Sequence, residues 1–185
     1  MSEEEKKELI KTCFKYAELY DRPHREFEYV DLTFDLVVSA ACFGQLKRHR
    51  MASITSQAYE PGLGVLIPEA IVKAGLDKKF NRVINITNKA FEKIPGSFPL
   101  AAQYVLTNAH CKRVLVKVNG RELYHMSRLR EDKHAQWDIQ NITRQMTDLA
   151  KKVMPLTMLF IGGKDAYSAI YEANFGKKPK VLPEY

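Results

Sequence analysis

A chain of 185 residues is long enough to bury one substantial core, and its balance of 45% hydrophobic and 28% charged residues excludes a disordered, collagenous or disulfide-scaffold polypeptide. A net charge of +7 and a pI near 9.2 favour an anionic partner, whether a phosphorylated cofactor, a nucleotide or RNA. The longest apolar stretch, Leu36 to Phe43, falls far short of the roughly 20 residues that span a bilayer. With an acidic start, Met1-Ser2-Glu3-Glu4-Glu5, in place of a secretory signal, a single cytoplasmic domain over residues 1–185 with no membrane partner is expected.

Leu9, Ile10, Cys13, Phe14, Ala17 and Tyr20 recur at helical spacing and predict an amphipathic helix from Glu3 to Tyr20, stopped by Asp21-Arg22-Pro23. Glu28 to Val38 is rich in Val, Thr, Phe and Tyr and predicts a strand. It passes into a helix over Ser39 to Arg50, one face of which carries Gln45, Arg48 and His49. Pro61, Gly62 and Gly64 mark a loop, Pro68 suits a helical first turn, and a further helix is predicted over Lys78 to Lys93. Pro95, Gly96 and Pro99 interrupt the chain before the apolar run Leu100 to Leu106. From His110 to Val118, Arg113, Leu115 and Lys117 alternate with Val114, Val116 and Val118, the pattern of a strand.

Asn119-Gly-Arg-Glu122 reads as a capped helix start, with Asn119 accepting from an orphan N–H and Glu122 reaching back, and the helix runs to about Leu129. Ala135, Ile139, Ile142, Met146 and Leu149 hold a helical period to Lys152, with a break at Pro155. Trp137 is expected in the core, and the stretch from Phe175 to Tyr185, with its prolines and basic cluster, is expected to be extended. Cys13, Cys42 and Cys111 have no CxxC spacing, so they are expected as small buried or half-buried thiols, with no disulfide and no metal site.

Lys47-Arg48-His49-Arg50, followed by Ser53 and Thr55, either grips a phosphate or forms a solvated helix end. Arg121, His125 and Arg128 stand at i, i+4 and i+7, so one helix face either binds an anion or meets solvent. His134 is a ring-stacking group or a surface cap. HExxH, a P-loop, GxGxxG and a spaced Ser, His and acid set are all absent from the sequence, so no residue is named as catalytic.

Two of these segments, taken in order, resemble the flavin-dependent thymidylate synthases, whose signature is R-H-R-x-x-S followed by four residues and S-x-R. Arg48-His-Arg-Met-Ala-Ser53 reproduces its first half. Val118-Asn-x-Arg-x-Leu, then Leu129-Arg130 and His134-Ala-Gln-Trp-Asp-Ile139, looks like the family's C-terminal helices. Tyr104-Val105-Leu106 and Glu28 with Leu32-Thr33-Phe34 also align, so the resemblance covers roughly residues 24 to 160. It implies an α+β fold with a mixed or antiparallel sheet flanked by helices, assembled as a homotetramer that shares its flavin sites. It also implies FAD contacts from Arg48, His49, Arg50, Glu28, Asn119, Arg121, His125 and His134, with His125 at a place where some members have Asn. Gln45 and Arg130 match positions that hold dUMP. The implied reaction is the reductive methylation of dUMP to dTMP, a methyltransferase step with methylenetetrahydrofolate as carbon donor and NADPH as reductant.

The chain departs from the signature at the nucleotide side. Ala58 stands where the second Ser belongs and Glu60 where the final Arg belongs; a two-residue deletion would instead place Ser56 and Ala58 there. Gln103 replaces the Arg expected before the Val-Leu pair. Each lost charge-assisted bond to phosphate costs about 1.5–3 kcal/mol, so dUMP binding is expected to be weakened. The alternative reading is therefore a noncatalytic FAD- or nucleotide-binding homologue, or a subunit mixed with a complete paralogue. The N-terminal part is shorter than the family's, which suits a minimal member or one half of a larger assembly. An RNA-binding module has only the charge in its favour, because no aromatic RNP-type segment is present.

Overall fold

A computed structural model describes residues 1–94, 96 and 98–180. The chain divides into two compact units: one holds Met1–Phe34, His49–Ser53 and the residues from Val116 onward, the other Asp35–Arg48 and Ile54–Leu115. Three strands, β1 (Asp31–Ser39), β2 (Ser53–Ser56) and β3 (Cys111–Asn119), form a sheet in the order β1-β3-β2, and each belongs partly to each unit. Ala40 N–H donates to His110 O and Gly120 N–H to Val30 O, so β1 and β3 run antiparallel. The expected alternation on β3 is present: Val114, Val116 and Val118 are buried and Arg113, Leu115 and Lys117 are exposed. Arg113 pairs with Asp35 at 3.2 Å and Lys117 with Asp31 at 3.0 Å, cross-strand contacts that fix the register. With eight α-helices among the described residues, the fold is α+β.

The first unit holds α1 (Glu3–Phe14), α6 (Gly120–Arg130), α7 (Trp137–Val153) and α8 (Lys164–Phe175). Ser2 and Glu5 form a complete capping box at the start of α1. The helix stops at Phe14 rather than Tyr20, because other groups take the backbone beyond it. Tyr171 Oη donates to Lys15 O at 2.8 Å and Tyr167 Oη to Ala17 O at 2.6 Å, while Asp21 accepts from Glu18 N–H. Phe14 stacks on Phe160 and on Tyr124, and Phe160 stacks on Phe175. Helix α8 was not anticipated, and with it Phe175 ends a helix instead of opening an extended stretch; residues 181–185 lie outside the described residues, as does Pro95.

Residues Arg25–Tyr29 form a 3-10 turn, so the first strand begins at Asp31 and not at Glu28. Gly120 lets this turn pack against α6, since a Cβ there would meet Phe27 O at 2.8 Å and Val30 Cγ2 at 2.9 Å. Trp137 is not a core anchor: at the first position of α7 it is 43% exposed. That turn is instead fixed by buried Asp138 and Ile139, whose N–H groups both donate to Gln136 Oε1.

The second unit holds α2 (Ala40–Leu46), α3 (Glu69–Lys73), α4 (Asp77–Lys93) and α5 (Pro99–Gln103). Ser39 caps α2 by accepting from Cys42 N–H. The helix ends at Leu46, and Arg48 N–H bonds Gln45 O in a turn, so Gln45, Arg48 and His49 do not share a helix face. His110 is fully buried: Nδ1 accepts from Thr107 N–H at 3.0 Å and Nε2 faces Asn88 Oδ1 at 2.8 Å. Cys42 and Cys111 are buried and Cys13 is half-buried, all as free thiols. Among the described residues no helix is long and apolar enough to cross a membrane.

Candidate functional site

A cavity of about 400 Å³ lies wholly within the first unit, beside α6. The helix supplies most of its polar wall because Arg121, His125 and Arg128 recur on the face that turns towards it, as their spacing predicts. Asn119 starts the helix, its Oδ1 accepting Glu122 N–H at 2.8 Å, and also lines the cavity. Opposite stand Leu19 and Met51, with Leu129 from α6, so the site combines apolar surface with a few oriented polar groups.

Arg121 is fixed twice. Its Nε donates to Pro23 O at 2.9 Å and its Nη1 to Glu28 Oε1 at 2.8 Å. Arg25 and then Arg121 hold the Glu28 carboxyl below its ordinary range. Arg128 donates to Asp21 O, and its guanidinium lies 5.9 Å from the centre of the Tyr167 ring. Burial lowers the His125 imidazole, opposed by Glu122 and reinforced by His49, Arg22 and Arg128, which favours the neutral ring with its one acceptor nitrogen.

Glu122 does not complete the expected capping box. Its carboxylate turns inward to His49 Nδ1 at 3.0 Å, and Arg130 Nε donates to His49 Nε2 at 2.9 Å. His49 is 4% exposed and Glu122 8%, so this pair is shielded from water, with Arg130 half-buried at its end. Because a guanidinium only donates, Nε2 must accept, which assigns the ring proton to Nδ1, facing the carboxylate.

Of the residues expected to touch flavin, Glu28, Asn119, Arg121 and His125 line the cavity together, and His49 stands behind it against Glu122. Arg50 and His134 are exposed and do not line it, and Arg48 and Gln45 belong to the second unit. Leu19, Arg22, Met51 and Lys164 line the cavity without having been singled out. They are single residues far apart in the chain, and no spacing links them. Among the described residues no group of His, Cys, Asp and Glu is arranged to hold a metal.

In the second unit the departures from the signature fall close together. Gln103 Oε1 accepts from Tyr59 N–H at 3.4 Å, between the exposed Ala58 and Glu60. Lys112 is 7% exposed and its Nζ lies 4.5 Å from the ring centres of both Phe43 and Tyr59. Burial, then the charge of Lys47, lowers its ammonium.

The family model described as thymidylate synthase complementing protein matches residues 1–156. The flavin-dependent thymidylate synthase of Sulfolobus acidocaldarius is 33% identical over 134 residues, covering 68% of this chain and 51% of that protein. That of Nitratidesulfovibrio vulgaris is 29% identical over 153 residues, covering 74% and 62%. A UPF0159 protein of Chlamydia muridarum is 27% identical over 130 residues, covering 70% of this chain and 24% of the relative. The chain thus spans about half the length of the synthases it matches, and a quarter of the chlamydial protein. All of the cavity wall except Lys164 lies inside the matched segment. The chain belongs to the thymidylate synthase complementing protein family, that of the flavin-dependent thymidylate synthases.

Proposed function

We propose that the α6 cavity binds FAD and that the chain acts as a flavin-dependent thymidylate synthase, methylating dUMP to dTMP with methylenetetrahydrofolate and NADPH. The observation that carries this reading is the convergence of Glu28, Asn119, Arg121 and His125 on one cavity. Their donor set suits a flat, polar-edged ring: Asn119 keeps its amide N–H₂ after capping α6, neutral His125 offers an acceptor, and Leu19, Met51 and Leu129 supply apolar contact. Once bound, the flavin supplies the redox chemistry, and the protein binds, orients and excludes water. Through His49, Glu122 holds the plane of Arg130, the residue proposed with Gln45 for the nucleotide. Arg48, Arg50 and His134 enter as flavin contacts from the resemblance alone, as do a homotetrameric assembly and a cytoplasmic location.

A second reading, a flavin-binding homologue or subunit without synthase activity, is favoured by one observation. Gln103 is bonded to the backbone beside Glu60, so two expected cations are replaced by a neutral group and a carboxylate. The visible spectrum of the purified protein tests both. Flavin bands, or their appearance with added FAD and loss in Arg121→Ala, support the cofactor; a colourless protein that takes up no FAD refutes it. A shift of the flavin bands on dUMP addition supports the synthase, and no response at millimolar dUMP supports the second reading.

A further inference from the structure

Two arginines of α6 grip the backbone on either side of a third. Arg128 donates to Asp21 O and Arg121 Nε donates to Pro23 O at 2.9 Å, so Arg22 is clamped between them. All three line the α6 cavity, although like charges gathered on one wall repel. Their compensation is incomplete. Arg121 has Glu28 at 2.8 Å, and Lys164, a fourth cation on the lining, has Asp132 at 3.1 Å. Arg128 donates to a carbonyl and lies on the face of Tyr167, and the Asp21 carboxylate acts on it through space without an ion pair among the described residues. Arg22 is exposed and forms no ion pair among the described residues. The nearest carboxylate in sequence, Asp21, accepts Glu18 N–H at 2.7 Å and is not on the lining. The other lining carboxylate, Glu122, is taken by His49.

We propose that Arg22 and Arg128 form a binding site for a phosphate group carried by a small molecule whose body fills the rest of the cavity. Two guanidinium groups, neither of them in an ion pair with a carboxylate among the described residues, suit a dianionic oxyanion, which such a fork can bind bidentately. The cavity, about 400 Å³, is far larger than a phosphate, and Leu19, Met51 and Leu129 give the body an apolar wall. Burial first, and then His49, Arg22 and Arg128 against Glu122, lower the His125 imidazole, which lines the same wall as both arginines. The resemblance assigns no role to either arginine, and the site stands on the cavity, with or without a flavin in it.

Calorimetric titration of the full chain with inorganic pyrophosphate, at ionic strength held constant with sodium chloride, tests the proposal. Saturable binding is expected, weakened at least about tenfold in Arg22→Gln, whose exposed side chain can be replaced without unfolding the protein, and unchanged in Lys78→Gln on α4. Arg128→Gln weakens it likewise, with its circular dichroism unaltered. Flavin mononucleotide binding more tightly than riboflavin, with the difference abolished by Arg22→Gln, would place the phosphate on the flavin. Equal flavin affinities with pyrophosphate still bound would place it on another ligand, and both outcomes support the site. Pyrophosphate bound no better than chloride, or equally by wild type and Arg22→Gln, overturns it. Flavin binding that survives such a result leaves the proposed function standing, whereas pyrophosphate binding without flavin binding refutes that function alone.

Discussion

Replacing Glu122 by alanine isolates the buried chain that holds Arg130. The start of α6 should survive, because its cap is Asn119 Oδ1 on the backbone N–H of residue 122, which alanine retains. What is lost is the acceptor for His49 Nδ1–H, 3.0 Å away in a site where His49 is 4% exposed. A buried donor left without a partner costs about 1–3 kcal/mol, against a gain of a few tenths from the better helix propensity of alanine. The net expectation is about 1–2.5 kcal/mol, read as a lower urea midpoint at constant slope. Glu122→Gln keeps an acceptor oxygen and should recover about half of the loss. A second readout is the tautomer: ¹⁵N NMR of His49 should show the proton on Nδ1 in the wild type and still in Glu122→Ala, because Arg130 goes on donating to Nε2. Destabilisation within about 0.5 kcal/mol, typical of an indifferent surface change, or a wild-type ring with its proton on Nε2, would refute the reasoning.

Gly120→Ala forces a methyl to within 2.8 Å of the Phe27 carbonyl and is expected to cost about 1–3 kcal/mol in the same assay. Tyr171→Phe removes the donor to Lys15 O and should cost about 0.5–1.5 kcal/mol, with faster amide exchange in the last turn of α1. Burial lowers the His110 imidazole, so below the ordinary histidine pKa the unfolded chain gains a proton that the folded one refuses. Stability should therefore fall as pH drops from about 7 towards 5, by up to ~1.4 kcal/mol per pH unit for this group. His110→Gln, less stable overall, should show a shallower fall; an unchanged slope would remove His110 as the cause.

The parts of the fold legible in sequence are those governed by short-range pattern. The β3 valines, the Asn119 cap and the period of α7 each involve neighbours along the chain, and all three are present. Reading failed where a distant partner decided the outcome. Helix α1 ends early because tyrosines from α8 take the carbonyls just beyond it, and Glu122 abandons the capping box because His49, 73 residues away, competes for its carboxylate. The local signal of helix α8 is Tyr167, Tyr171 and Phe175 at successive spacings of four. For the site, the helical spacing of Arg121, His125 and Arg128 was sufficient to put them on one wall. Arg22 and Lys164 reach the same cavity from separate segments, which no local pattern encodes.

The two tyrosine bonds from α8 also bear on the order in which the protein is made. They join residues 150 and 156 positions apart, so α1 leaves the ribosome long before its partner exists. Until residue 160 is made the Phe14 ring lacks Phe160 to stack on, and until α8 follows, the carbonyls of Lys15 and Ala17 stay with water. Docking of the first helix is thus among the last steps of folding, and the nascent chain must keep an amphipathic segment free of wrong partners throughout its elongation.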